Sequence, residues 1–266
     1  MKIKIAAIAD THFDPCTGNP QRQGEIADLL LERTVHRLNE FIKPDVTLIL
    51  GDLLDKGEAP GARERFQRMR RIVDEIQSPT IVIPGNHDGD VRAFYEVFTE
   101  PEEFTDVKGV RFVPFLDPEE PGYNARRTPH DLERMAGARA GFDGPIVALQ
   151  HVPIFPPGAS ECPWHYTNAE EVISAMRAHG YCLAVSGHYH EGIDFLSEDG
   201  VSFTAAPALC RPPYVFLTIT LSTGSECQPV VTRHTLRMPQ QLGLVDCHVH
   251  TQFAYCGQDV TAREAI

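Results

Sequence analysis

Two kinds of pattern alternate along the chain. Apolar runs of five to eight residues, rich in β-branched side chains, cover 2–9, 46–50, 80–84, 145–150 and 182–186. Each stops at a Gly or a polar residue, and that length and punctuation predict buried strands. Between the runs, apolar positions recur three or four apart. Ile26, Leu29, Leu30, Leu38 and Ile42 form one stripe over 24–42, with Val35 placed less regularly and Pro44 just past the end. Phe66, Met69, Ile72, Val73 and Ile76 form another over 61–77. Such spacing predicts helices that bury one face. A third helix is predicted over 168–178, with Asn168 as its cap and Glu170 and Glu171 in its first turn.

Strand–helix–strand repetition predicts βαβ units and a largely parallel sheet. Past residue 200 the texture changes. Strands are expected at 201–206, 214–221 and 229–236, with turns such as Ser222-Thr223-Gly224 between them. They suggest a second sheet rich in antiparallel pairing. Residues 117–144 are rich in Pro, Gly and Arg and read as an excursion with one short helix over 129–140. The expected fold class is α/β: two sheets packed face to face with outer helices, a four-layer αββα sandwich.

Composition narrows the function. A chain of 266 residues with 42% hydrophobic content can bury one large core, or a domain with an appendage. No run approaches the ~18 apolar residues of a membrane span, so no membrane partner is expected. The opening MKIKIAAIAD lacks a signal-peptide cleavage pattern and reads as a first buried strand. The seven cysteines are scattered, without a C-x-x-C pair. This argues against a disulfide framework and for a reducing, cytoplasmic setting. The net charge of −13 argues against a nucleic-acid partner. A small phosphorylated substrate stays open, because bound cations add positive charge that the count omits.

Every one of the first five runs ends at a possible metal ligand. The residues are Asp10 and His12, then Asp52, then Asn86 and His87, then His151, then His188 and His190. Singly they are weak signals: a His-x-His pair is usually a solvated turn, and a lone histidine is usually a satisfied buried one. Ligands of open α/β sheets bind beyond the carboxyl ends of the strands. Helix-to-strand returns put those ends on one edge, so these residues are expected to converge.

The ordered set DTH (10–12), GDLLD (51–55), GNHD (85–88), QHVP (150–153) and GHYH (187–190) resembles the calcineurin-like metallophosphoesterases. The likeness covers roughly residues 1–235, and 1–192 is most similar to the cyclic-nucleotide-phosphodiesterase-like branch. It implies a four-layer αββα fold with two mixed sheets flanked by helices, and a dinuclear metal centre. The implied reaction is hydrolysis of phosphodiester or phosphomonoester bonds, diesters preferred, by attack of a metal-bridging hydroxide. By motif, Asp10, His12 and His190 hold one metal, Asn86, His151 and His188 hold the other, and Asp52 bridges both. Imidazole and carboxylate donors without thiolate suit divalent or trivalent Mn, Fe, Zn, Co or Ni. His87 resembles the family's non-ligand histidine, which would protonate the leaving group. Either Asp55 or Asp88 could orient an imidazole from behind.

The loop 155–168 leaves the same edge and carries Trp164, His165 and Tyr166. Two readings stand: a lip that faces substrate, or a surface loop pinned by one buried aromatic. Two rival functions also stand. One is a binding scaffold that has lost catalysis, against which the complete ligand set argues. The other is a DNA-processing nuclease, against which the acidic charge and the lack of a basic, aromatic-lined groove argue.

Residues 1–237 read as one domain and 238–266 as a separate tail. Within it, Asp246, His248 and His250 resemble the opening of a polymerase-and-histidinol-phosphatase (PHP) domain, incomplete. The tail reads as a piece of a longer two-enzyme protein, as a docking arm, or as coincidence. No catalytic role is assigned to His248 or His250.

Overall fold

All the segments read as strands from their apolar pattern are strands. In chain order the elements are β1 (Lys2–Ile8), α1 (Ala27–Arg37), β2 (Val46–Leu50), α2 (Ala62–Val73), β3 (Thr80–Ile83) and α3 (Val91–Tyr95). They continue with β4 (Thr105–Val107), β5 (Val110–Pro114), β6 (Glu119–Glu120), β7 (Asn124–Ala125), α4 (Pro129–Gly137) and β8 (Ile146–Leu149). The last are α5 (Ala169–Ala178), β9 (Tyr181–Ser186), β10 (Ile193–Glu198), β11 (Val201–Ala205), β12 (Val215–Ser222) and β13 (Val230–Thr235). The computed structural model describes residues 2–16, 19, 21–222 and 228–236. The boundary at 237 and the tail with Asp246, His248 and His250 lie outside the described residues.

Two large mixed sheets face each other. The first runs β13-β12-β1-β2-β3 and the second β10-β11-β9-β8-β5-β4. Strands β1, β2 and β3 are parallel to one another, as are β5, β8, β9 and β11. The strand period of two sorts their side chains. On β1, Ile3, Ile5 and Ala7 enter the core between the sheets, while Ala6 and Ile8 enter the core under the helices that include α1 and α2. On β8, Val147 and Leu149 point to the inter-sheet core, and Ile146 and Ala148 to a third core shared with α4 and α5. Three apolar layers between four structural layers make the αββα sandwich.

The strands after residue 200 do not form a sheet of their own. Strand β11 pairs parallel with β9, whereas β12 pairs antiparallel with β1 in the register Ile3↔Leu221 and Ile5↔Ile219. The alternation of Val215, Leu217, Ile219 and Leu221 fits the inter-sheet core and draws β12 to β1. Asn168 precedes α5, but its side chain does not cap it. Its amide instead accepts from the Arg127 N–H at 3.1 Å and donates to the Arg127 carbonyl at 3.0 Å. That two-point bond outcompetes the local cap. The cysteine expectation holds for Cys16, Cys162 and Cys210, which are free, and is corrected at Cys182, which is disulfide-bonded. Sequence spacing says nothing about which thiols a fold brings together. No helix among the described residues is long and apolar enough to cross a membrane.

Candidate metal centre

The carboxyl ends of the parallel strands of both sheets meet on one rim. Past β1 and β2 the chain stays zipped, with the Asp10, His12 and Phe13 amides donating to the Gly51, Asp52 and Leu53 carbonyls at 2.9–3.0 Å. Gly51 and Gly85 let two further backbones touch. A Cβ on Gly51 would stand 2.5 Å from the Gly85 nitrogen, and a Cβ on Gly85 would stand 2.2 Å from Asp52 Oδ1. Gly51 also has φ 92°, a left-handed turn that suits glycine. Asp10, His12, Asp52 and His188 adopt positive φ of 45–65° without being glycine. Such angles cost energy and collect at functional sites. Here they aim each side chain inward.

Seven donor atoms form two linked sets. In the first, His12 Nε2 lies 3.1 Å from His190 Nε2 and 3.7 Å from Asp10 Oδ1, which is 3.5 Å from His190 Nε2. In the second, His151 Nε2 lies 3.1 Å from Asn86 Oδ1 and 3.2 Å from His188 Nδ1. Asp52 Oδ2 belongs to both, 3.5 Å from His12 Nε2 and 3.3 Å from His151 Nε2. Donors at ~2.0–2.2 Å from an ion stand ~3–3.6 Å from one another, so these spacings suit coordination by side chains already in place. All the sequence-derived ligand candidates are thus brought together.

Each aspartate splits its carboxylate. Asp10 Oδ2 accepts from the His188 amide and Asp52 Oδ1 from the His87 amide, leaving the other oxygen of each for the site. Asp10 Oδ1 is buried without a hydrogen-bond partner among the described residues. A buried acceptor left unpaired costs about 1–3 kcal/mol; a cation between Asp10, His12 and His190 would satisfy it. The donor set therefore fits two transition-metal ions.

Electrostatics agree. Burial opposes the charge on Asp52, yet His151 and His12 outweigh it and hold the carboxyl far below the usual range. Burial also opposes charge on His151, but Asp52 carries its pKa up to about 10. His188 goes the other way: burial, then the neighbouring His151, push it down to about 4. His188 thus offers a lone pair, and the proton on His151 is what a cation would displace.

Outer contacts set the ring tautomers. His151 donates through Nδ1 to the Leu50 carbonyl at 2.7 Å, which leaves Nε2 for the site. Asp55 Oδ1 is 3.5 Å from His12 Nδ1 and accepts from Arg22 Nη1 at 2.6 Å, and Arg22 Nη1 also lies 3.3 Å from His12 Nδ1. His12 Nδ1 thus faces two partners: the Asp55 carboxylate, which would accept from a protonated Nδ1 and free Nε2, and the Arg22 guanidinium, which can donate only to an unprotonated one. Among the described residues Asp88 has no hydrogen bond or ion pair with an imidazole. It accepts from the Gly85 and Leu54 amides at 2.9 Å each and staples two site loops. His87 is half-buried, its ring centroid 4.8 Å from that of His12, and it joins His12 and Asp52 in a third donor group. Its Nδ1 donates to the Asp55 carbonyl at 2.8 Å, leaving Nε2 free.

The aromatic loop divides. Trp164 is half-buried with its ring 5.0 Å from that of His188, so it borders the site. His165 is exposed, and its amide bonds Asn124. Tyr166 is buried, with its hydroxyl on Asp117. Sequence reasoning missed Arg22, and it missed the wholly buried Arg127, which grips Asp117 at 2.8 and 3.0 Å through Nε. Both arginines sit in irregular segments where no periodicity marks a buried position.

The family model described as "Calcineurin-like phosphoesterase" matches residues 3–192. A probable cyclic nucleotide phosphodiesterase of Synechococcus sp. is 27% identical over 223 residues, 78% of this chain and 81% of that protein. Metallophosphoesterase 1 of Ailuropoda melanoleuca is 29% identical over 131 residues, 42% of this chain, and the match spans 31% of that protein's own length. Among solved structures, a dimetal phosphatase from Danio rerio superposes with a TM-score of 0.70 at 14% identity, over 86% of this chain and 98% of that one.

Proposed function

Because the chain belongs to the calcineurin-like phosphoesterase family, we propose that it hydrolyses phosphodiester bonds of a small substrate with the help of two transition-metal ions. The observation that carries the reading is the position of Asp52 Oδ2, shared between two sets of donors spaced for coordination. Asp10, His12 and His190 would hold one ion, and Asn86, His151 and His188 the other. When bound, such a pair of ions lowers the pKa of water and neutralises charge on phosphoryl oxygens.

The remaining work falls to the chain's own groups. His87, anchored through Nδ1 to the Asp55 carbonyl, holds a proton at Nε2 for the departing alcohol oxygen. Asp55 orients His12, and Asp88 fixes the loop that carries Asn86 and His87. Trp164 covers the His188 side and excludes water from it. The diester reading draws support from the cyanobacterial relative, a probable cyclic nucleotide phosphodiesterase matched over most of its length. A cytoplasmic setting is part of the proposal: the free thiols of Cys16, Cys162 and Cys210 favour it, and the disulfide at Cys182 counts against it.

The test is turnover of aryl phosphate diesters and monoesters by purified protein loaded with Mn, Zn, Fe, Co or Ni. Hydrolysis of diesters faster than monoesters is expected. Absence of turnover with two bound ions would favour a non-catalytic scaffold. Asp52→Ala should empty both metal positions by elemental analysis; retention of both ions would remove Asp52 from its bridging role.

A further inference from the structure

A cavity of about 310 Å³ opens directly from the donor ring, with Asn86 and His151 on its wall. Two larger hollows, of about 780 and 490 Å³, contain none of the seven donors. The cavity beside the ring is walled by Val91, Phe115, Leu116 and Pro118, with Asp117 and Tyr166 in its lining. Its volume is at the low end of pockets that take small ligands, about right for one ring or a short chain.

Its charge is as telling as its shape. Among the described residues no lysine or arginine lines it, while Asp117 and Glu119 do. Arg127 is wholly buried behind the wall and already committed. Its Nε bonds Asp117, its Nη2 reaches Gln150 Oε1 at 3.4 Å and Tyr166 Oη at 3.5 Å, and it lies 3.6 Å over the Phe115 ring. Arg22, beside the other end of the ring, is paired with Asp55. A second phosphate or carboxylate entering the cavity would therefore lose its hydration and find no cation among the described lining residues, only acidic ones. An uncharged apolar group would lose little hydration and cover Val91 and Leu116, the exposed apolar residues of the lining.

We propose that this cavity seats the organic group of the substrate and selects an uncharged, apolar or aromatic substituent of about ring size over anionic ones. The proposal rests on the phosphoesterase reading and deepens it: the ring takes the phosphoryl group, and Val91, Phe115, Leu116 and Pro118 determine which ester is accepted. Nucleic-acid strands and polyphosphate-bearing esters are excluded substrates, and phosphodiesters of neutral alcohols are favoured ones.

Phosphonates separate the two claims, because they are not hydrolysed and carry a single organic group. Calorimetric titration of the Mn-loaded protein with methylphosphonate, phenylphosphonate and phosphonoacetate reads the ring and the cavity independently. Phenylphosphonate should bind at least about tenfold more tightly than methylphosphonate, the scale of discrimination typical of an apolar pocket, and phosphonoacetate should gain nothing over methylphosphonate. Val91 and Leu116 are 41% and 38% exposed, so polar replacements there leave the fold intact. Val91→Asn with Leu116→Asn should erase the phenyl preference, read as the ratio of phenylphosphonate to methylphosphonate affinity, while Leu116→Arg should raise affinity for phosphonoacetate. Equal binding of phenyl and methyl probes, or a phenyl preference that survives the double variant, overturns the cavity assignment alone. No binding of either probe overturns the phosphoesterase reading and this inference with it.

Discussion

Asp52 and His87 show how single residues divide their labour. The His87 amide donates to Asp52 Oδ1, while its imidazole turns away to the Asp55 carbonyl. His87 is thus held from both ends without a direct demand on its Nε2. His87→Ala should keep both ions by elemental analysis and lower kcat by about 10²–10⁴, the usual worth of a positioned proton donor. Loss of an ion instead would make His87 a ligand. The donor residues were legible one by one, because each follows an apolar run and a turn. The left-handed backbone at Asp10, His12, Asp52 and His188 was not legible. Asp and His tolerate such angles better than most residues, but nothing in the local sequence requires them. The division of roles between Asp55 and Asp88 was equally hidden, since it depends on which loop each carboxylate faces.

At the scale of elements, strands declared themselves where their faces were uniformly apolar and hid where charge interrupted them. Strand β5 carries Arg111, whose guanidinium bonds Asp106 and lies 3.8 and 4.1 Å from the Phe104 and Phe142 rings. A buried cation in mid-strand breaks the pattern that marks a core strand. Strand β10 is an edge, exposed at Asp194 and Glu198, as edges that avoid further pairing tend to be. Within the excursion 117–144 the short helix was legible, but strands β6 and β7 and the buried Asp117–Arg127 ion pair were not. Asp117→Ala would leave Arg127 buried and unpaired, with an expected loss of about 3–5 kcal/mol in urea unfolding. Adding Arg127→Met should recover much of that loss. A single variant as stable as wild type would show that the pair carries no structural weight.

The whole molecule brings the two sheets together at the ring. Asp10, His12, Asp52 and Asn86 follow strands of the first sheet, and His151, His188 and His190 follow strands of the second. Each proposed ion would join both. Loading with metal at a hundredfold excess over Kd should add about 2.7 kcal/mol, a rise in Tm of about 5–10 °C for a chain of this size. A chelator should reverse it, and a Tm indifferent to metal would count against side chains from both sheets sharing an ion. The pairing of β1 with β12 rather than with a late hairpin partner escaped the sequence because an apolar alternation specifies a face, never a neighbour.

That pairing also orders events in time. The second sheet is drawn from one continuous stretch, residues 105–205, whereas the first needs residues 2–83 and then 215–235. Closing so long a loop is slow. On the ribosome, β1 must wait until residues 215–222 emerge before its antiparallel neighbour exists, so the first sheet closes after the second. Pulsed hydrogen exchange during refolding should find the amides of β8 and β9 protected before those of β1; simultaneous protection would mean that both sheets condense in one step.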